Sequence, residues 1–385
     1  MLVMAMLFYG IGVGTLAPMN ALYLQHDVGL AKEEIAAIFA VSLLLNMMLT
    51  IGVGWMSDRF ARKKPVPVMA SIVCAFGLFV YMNATGFMTA LAGMALATAP
   101  SGMIMGHLFA MARKHFTRFA AGIVEISLLW LRATYSIGFF TGLLLGANLY
   151  LLASYQGVLW GNLLGYALLF FMLFIYREVT VSGAGTGDVA GEPVSIAMLA
   201  AILLLSCADA IRGLYLPLVV QQLFGKPELM SYLWSTQAVF ELFFMTVTGY
   251  WAAKYGSKRI IFISSLFALA TYLVYLSGAN LLLFFLVQPV YSFFVSVLYG
   301  VAMGYVQRMF IHRTGFGSSL YVFISQTASL TGYLLPLLIR GISPHIFVIP
   351  VCLIVLAAGL IGTEYFRGQG NIRRNRKATN SIAKP

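Results

Sequence analysis

Gly54-Trp55-Met56-Ser57-Asp58-Arg59-Phe60-Ala61-Arg62-Lys63-Lys64 lies between two long apolar runs and places one acid and four bases in the seven residues from 58 to 64. Charge of that density does not dissolve in hydrocarbon, so the stretch reads as a short aqueous turn joining two membrane helices. A second version follows 195 residues on, Gly249-Tyr250-Trp251-Ala252-Ala253-Lys254-Tyr255-Gly256-Ser257-Lys258-Arg259. It keeps the leading glycine and the basic end, has Gly256 where the first copy has Ala61, and has Ala253 in place of Asp58. Two copies half a chain apart predict an internal duplication.

Composition points the same way. Of 385 residues 61% are hydrophobic and 9% charged, with a mean hydropathy of +0.90. The apolar runs exceed the roughly 18–20 residues that cross a bilayer. Twelve spans are predicted, at about 2–24, 34–57, 66–85, 87–112, 119–148, 151–176, 195–222, 228–253, 258–277, 281–310, 316–341 and 345–366. The expected fold is therefore an all-α membrane protein of twelve transmembrane helices in two pseudo-symmetric six-helix bundles, residues 1–176 and 195–366. The Gly-rich stretch 177–194 reads as a cytoplasmic linker, and 367–385 as a basic tail near anionic headgroups. The first apolar segment lacks a basic leader and a small-residue cleavage site, so it reads as a retained helix.

Nineteen of the 24 Lys and Arg fall in the 2–3, 4–5, 6–7, 8–9 and 10–11 loops and the tail, against Lys32, Lys226 and Arg340 on the other side. That asymmetry predicts both termini in the cytoplasm, in the inner (plasma) membrane. The net charge of +12 is spread over short loops, which argues against nucleic acid as a partner. Cys74, Cys207 and Cys352 sit in separate apolar segments and suggest neither a disulfide nor a metal site. No nucleotide-binding loop, paired metal ligands or nucleophile triad points to an enzyme or a cofactor.

Arg132 and Arg212 fall inside spans, and three acids join them: Glu125 with Arg132 in span 5, Asp209 with Arg212 in span 7, and Glu241 near the middle of span 8. A charge at that depth costs several kcal/mol unless it is paired or faces a wet cavity. The spacing of Asp209 and Arg212 lets the two meet on one face and satisfy each other as a structural pair. Glu241 has no base in its own helix before Lys254, so it is either paired across helices or titrates, and is the expected proton site, with Glu125 and Asp209 next. Asn20, Asn46, His107, Gln237, Gln288, Gln307 and Gln326 are further polar groups inside spans, accompanied by Tyr215, Trp234 and Tyr321. Amides beside rings suit a polyhydroxylated substrate, although buried amides also bond across helices with no ligand. The candidate substrate set is Arg132, Asn20, Asn46, Gln237, Trp234, Tyr215, Arg212 and Gln326. Gly138, Gly142 and Gly146 mark a close helix contact.

The stretch at 54–64 resembles the Gly-x-x-x-Asp-Arg-x-Gly-Arg-(Arg/Lys) loop of the major facilitator superfamily, with Ala61 at a glycine position. More narrowly, the chain resembles the bacterial sugar efflux transporter family. The similarity is carried by Ala17-Pro18, by Leu108-Phe109-Ala110-Met111-Ala112-Arg113, by Arg132, and by Glu241 in a Phe-Glu-Leu context. Gly249-Tyr250 running into Lys254-Tyr255-Gly256-Ser257-Lys258-Arg259, Gln307 and the turn 313–319 add to it. Gly142-Leu143-Leu144 departs from the Gly-Pro-Pro of such exporters, and span 4 has no Arg between Gly86 and Arg113. The resemblance implies gating by Gly54, Asp58, Arg59, Arg62, Arg113, Gly249 and Gly256, with Asp58 meeting the start of span 11 in the outward-facing state.

These observations predict a monomeric secondary transporter that moves a small-molecule substrate by alternating access in the lipid bilayer, as a proton-coupled exporter of sugars or small glycosides. Competing readings are a multidrug or metallophore exporter, a proton-coupled sugar or nucleoside importer, and a non-transporting receptor or enzyme.

Overall fold

The computed structural model describes residues 1–57, 63–119, 124–178, 192–310 and 314–364. Within them the chain is helical, with no strand. The helices are α1 (Leu2–Leu16), α2 (Asn20–His26), α3 (Lys32–Ser57), α4 (Pro65–Met82), α5 (Phe87–Thr98), α6 (Ser101–Phe119), α7 (Val124–Ile175) and α8 (Ile196–Phe224). They continue as α9 (Leu229–Tyr255), α10 (Ser257–Leu276), α11 (Leu281–Leu286), α12 (Gln288–Ser296), a π turn (Val297–Ala302), α13 (Met303–Met309) and α14 (Thr314–Leu334). A last helix, α15, covers residues 348–364.

Among the described residues, nine helical stretches are long and apolar enough to cross a membrane. One of them, Trp130–Ile175, is two spans. Its helical geometry breaks at Ala153 and Ser154, where Ser154 has φ 54°, a few residues past the break expected at 148–151. The chain turns back there. Gly146 before the break and Gly161 after it both lie against Thr15, and Gly165 meets Gly12, so both arms pack on α1. Gly138, Gly142 and Gly146 sit so close to the backbone of α1 that a Cβ would collide with the carbonyls of Leu7, Ile11 and Thr15. Helices α9 and α14, of 27 and 21 residues, complete the twelve. Ser235, Thr236, Gln237 and Glu241 keep α9 less apolar than an ordinary span.

Three spans are discontinuous, each at a proline. Pro18 has no N–H and its ring crowds the preceding turn, so span 1 parts into α1 and α2. Pro100 separates α5 from α6, and Pro289 follows the junction of α11 and α12. Gly256, at φ +89°, makes the tight turn from α9 to α10, in a conformation that L side chains rarely adopt.

The chain divides into two compact units. The first is Met1–Gly187 with Gly213–Val239 and Tyr333–Ser343, and so takes in the end of α8, the start of α9 and the segment after α14. The second is Asp188–Arg212, Phe240–Gly332 and Pro344–Pro385.

Candidate functional site

The first unit encloses a cavity of about 440 Å³. It forms where two proline breaks release backbone carbonyls inside the membrane, the situation in which irregular backbone is tolerated there. At the α5–α6 break the Asn46 amide nitrogen donates to Thr98 O at 2.9 Å and Ala99 O at 3.0 Å, and Ser101 Oγ also donates to Thr98 O at 2.6 Å. Next to the α1–α2 break Asn20 accepts from the Tyr81 hydroxyl at 2.6 Å, and the Tyr23 hydroxyl donates to Tyr81 O at 2.8 Å. Asn162 donates to Gly12 O. These three asparagines line the cavity with six rings, Tyr9, Phe39, Tyr81, Tyr166, Trp234 and Tyr333, and among the described residues the lining contains no charged side chain. Two further lining groups, Trp234 Nε1 and Ser42 Oγ, are buried polar atoms with no hydrogen-bond partner.

Of the expected substrate residues, Asn20, Asn46 and Trp234 thus come together. Tyr215 is buried beside them in the first unit, its hydroxyl donating to Tyr333 O at 2.6 Å. Arg132 is half-buried on α7 with no side-chain hydrogen bond among the described residues, and Gln237 is half-buried on α9. Ser42, Asn162 and the tyrosines escaped sequence reasoning. The available signal for Asn162 was a lone amide within the apolar run 151–176.

Arg212 and Asp209 belong to the second unit and correct an expectation. They do not pair with each other. Asp209 accepts from the Tyr291 hydroxyl through Oδ1 and from the Tyr299 hydroxyl through Oδ2, the latter at 2.6 Å. Arg212, 3% exposed, donates to Gln288 Oε1 at 2.9 Å and to the Tyr275 hydroxyl at 3.4 Å. Its guanidinium carbon lies 3.9 Å from the centre of the Tyr291 ring, so this one tyrosine touches both charges. Tyr291 and Tyr299 both reach Asp209 because the π turn, wider than an α turn, carries Tyr299 back toward the face of Tyr291. Gln288 closes the cluster by donating to the Tyr275 hydroxyl at 2.9 Å and to Phe284 O at 2.7 Å. Glu241 is half-buried on α9, where its backbone carbonyl accepts from Ser296 Oγ at 3.2 Å, and Gln326 is half-buried on α14.

Of the gating set, Asp58, Arg59 and Arg62 lie outside the described residues, as do the surroundings of Gly54; so does the side chain of Glu125 among the proton-site candidates. Arg113 is exposed on α6, and Gly249 has open space where a Cβ would stand. The described end of the organising loop has an unforeseen partner, Glu178. Its carboxylate accepts from the backbone N–H groups of Lys63 at 2.6 Å and Lys64 at 3.0 Å, at the start of α4. The Lys64 ammonium caps the end of α7 through Phe174 O at 2.9 Å and Tyr176 O at 2.6 Å. Lys32, expected in a loop, is instead buried at 6% exposure. Its ammonium donates to Pro336 O at 2.7 Å, Ile339 O at 2.6 Å and Gly341 O at 3.0 Å.

Discontinuous membrane spans around a cavity of rings and a few amides, in a chain that crosses the membrane twelve times, define a multi-pass membrane transporter. The profile of the Major Facilitator Superfamily matches residues 2–333, and the chain belongs to that superfamily of secondary transporters for small molecules. Sugar efflux transporter A of Escherichia coli (strain K12) is 21% identical over 341 residues, 86% of each chain. A putative sugar efflux transporter of Deinococcus radiodurans is 25% identical over 170 residues, 43% of each. Among solved structures, the nucleoside transporter NupG aligns over 94% of this chain and 96% of its own, with a TM-score of 0.76 at 12% identity.

Proposed function

We propose that this protein is a proton-coupled exporter of sugars or small glycosides. The observation that carries the reading is the cavity of the first unit, with three asparagines, two unpartnered polar groups, six rings and no charge among its described lining residues. An ionic substrate would find no counter-charge among those residues. A sugar presents hydroxyls that both donate and accept, and an apolar face that stacks on rings. The asparagine amides, Trp234 Nε1 and Ser42 Oγ are the groups that would meet those hydroxyls. The names of the two relatives above add support for efflux.

In this reading Glu241 exchanges the proton, with Glu125 and Asp209 as the alternatives, while Arg132 sets the local field. Residues 1–176 and 195–366 rock as two bundles joined by the linker 177–194, with both termini in the cytoplasm and the monomer in the inner membrane. Asp58, Arg59, Arg62 and Arg113 hold the cytoplasmic gate, and Gly54, Gly249 and Gly256 allow its turns.

Liposomes holding the purified protein, an imposed pH gradient and a panel of radiolabelled sugars, nucleosides and dipeptides test the substrate class. Sugars alone should exchange against protons, and gradient-driven movement of a charged dipeptide in their place would overturn the reading. Glu241→Gln should keep substrate binding and lose acceleration by the gradient, because the amide does not titrate. Unimpaired coupling in that variant would move the proton site elsewhere.

A further inference from the structure

We infer that the first unit carries a second ligand site, a vestibule for a neutral polyhydroxylated compound that is separate from the cavity described above. The ligand class rests on the sugar reading above. The vestibule has a volume of about 500 Å³, within the roughly 300–1,000 Å³ of small-molecule sites. Its polar walls are Gln25 and His26 at the end of α2, Lys32 and Glu33 at the start of α3, and Gln221 and Gln222 at the end of α8. Among the described residues it shares no lining residue with that cavity.

Two wall groups mark it as more than a crevice. Gln25 Oε1 and Gln221 Oε1 are buried oxygens with no hydrogen-bond partner, and an acceptor left in that state costs about 1–3 kcal/mol. Lys32 cannot relieve them, because its ammonium already serves three carbonyls. The remaining ionisable groups among the described lining residues are one carboxylate, Glu33, and one imidazole, His26, with no further lysine or arginine to await an anion. Three glutamine amides offer both donors and acceptors. A hydroxyl suits an amide in either orientation, since it donates and accepts equally well.

The walls come from α2 and α3 in the first half of the sequence and from α8 in the second, beside Gly341, which Lys32 holds. A bound polyol would bridge α2 and α8, beside the contact that Lys32 makes from α3 to residues 336–341. The charge distribution assigns this end of the spans to the exterior, where an exported sugar leaves.

Ligand-observed saturation-transfer NMR on the full chain in nanodiscs, with sucrose and methyl β-galactoside as probes at millimolar concentration, tests the site. Wild type should bind in two components. Trp234→Leu should remove the tighter one and leave the weaker. Adding Gln25→Leu and Gln221→Leu should weaken that residual binding at least tenfold. Gln222→Ala and His26→Ala, at exposed positions that leave the fold intact, should weaken it two- to fivefold. A residual component that none of these variants changes, or its absence in Trp234→Leu, would mean that the vestibule holds only water, with the sugar reading untouched. Failure of the wild type to bind either probe would instead remove the sugar reading, and the vestibule's ligand class with it.

Discussion

Among the described residues the cavity of the first unit holds three asparagines, six rings and no charge, and two of its polar groups lack partners. The cluster of the second unit holds a carboxylate and a guanidinium, each with two hydrogen-bond partners among tyrosines and a glutamine. The difference follows from what each kind of group costs in a membrane. A buried charge left unsatisfied is so expensive that Asp209 and Arg212 are enclosed by Tyr275, Tyr291, Tyr299 and Gln288 on neighbouring spans. A neutral N–H or hydroxyl left unpaired costs about 1–3 kcal/mol, a sum that a ligand can return on binding. The satisfied cluster is therefore suited to hold helices in register, and the unsatisfied cavity to bind.

The largest effect should come from breaking the cluster. Arg212→Met leaves the buried Gln288 Oε1 without its donor and takes the cation off the Tyr291 ring, and should cost about 3 kcal/mol of stability. Thermal unfolding in detergent reads this, and the double variant with Asp209→Asn should recover a large part. Equal losses in the single and double variants would show that the two charges are not coupled through Tyr291.

Lys32→Met comes next. It removes three charge-assisted hydrogen bonds while relieving a buried ammonium, for a net loss of about 2 kcal/mol, or roughly thirtyfold in the clasp equilibrium. Distances between spin labels at positions 28 and 343 should broaden. A distribution identical to wild type would mean that the three carbonyls hold that end without the lysine.

Trp234→Phe sharpens the comparison from the cavity side, since it keeps a ring and removes only the unpartnered N–H. Affinity for a hydroxylated substrate should fall by about 1 kcal/mol, or roughly fivefold, with stability unchanged or slightly raised. Equal affinity would exclude the indole N–H from substrate contact.

The smallest effect belongs to Glu178→Gln, which retains an acceptor at the start of α4 but loses its charge. About 0.5–1 kcal/mol of stability should go, seen as a small drop in Tm that high salt reduces. A drop that salt leaves unchanged would mean that the carboxylate acts by shape alone.

Sequence alone determined the features that depend on chain-local chemistry. Long apolar runs must cross a bilayer, and the dense charges of 58–64 and 254–259 must leave it, so the spans and the family resemblance were legible from residue order. Asn20, Asn46 and Trp234 were legible too, as polar or amphipathic groups in apolar surroundings. Partnership was not. The i, i+3 spacing of Asp209 and Arg212 suggested a local pair, yet tyrosines 82 and 90 residues away take the carboxylate. Lys32 looked like a loop cation because its carbonyl acceptors lie more than 300 residues further on. Where a polar group goes in hydrocarbon is decided by which helix supplies the complementary atom, and only the tertiary structure brings that helix into place.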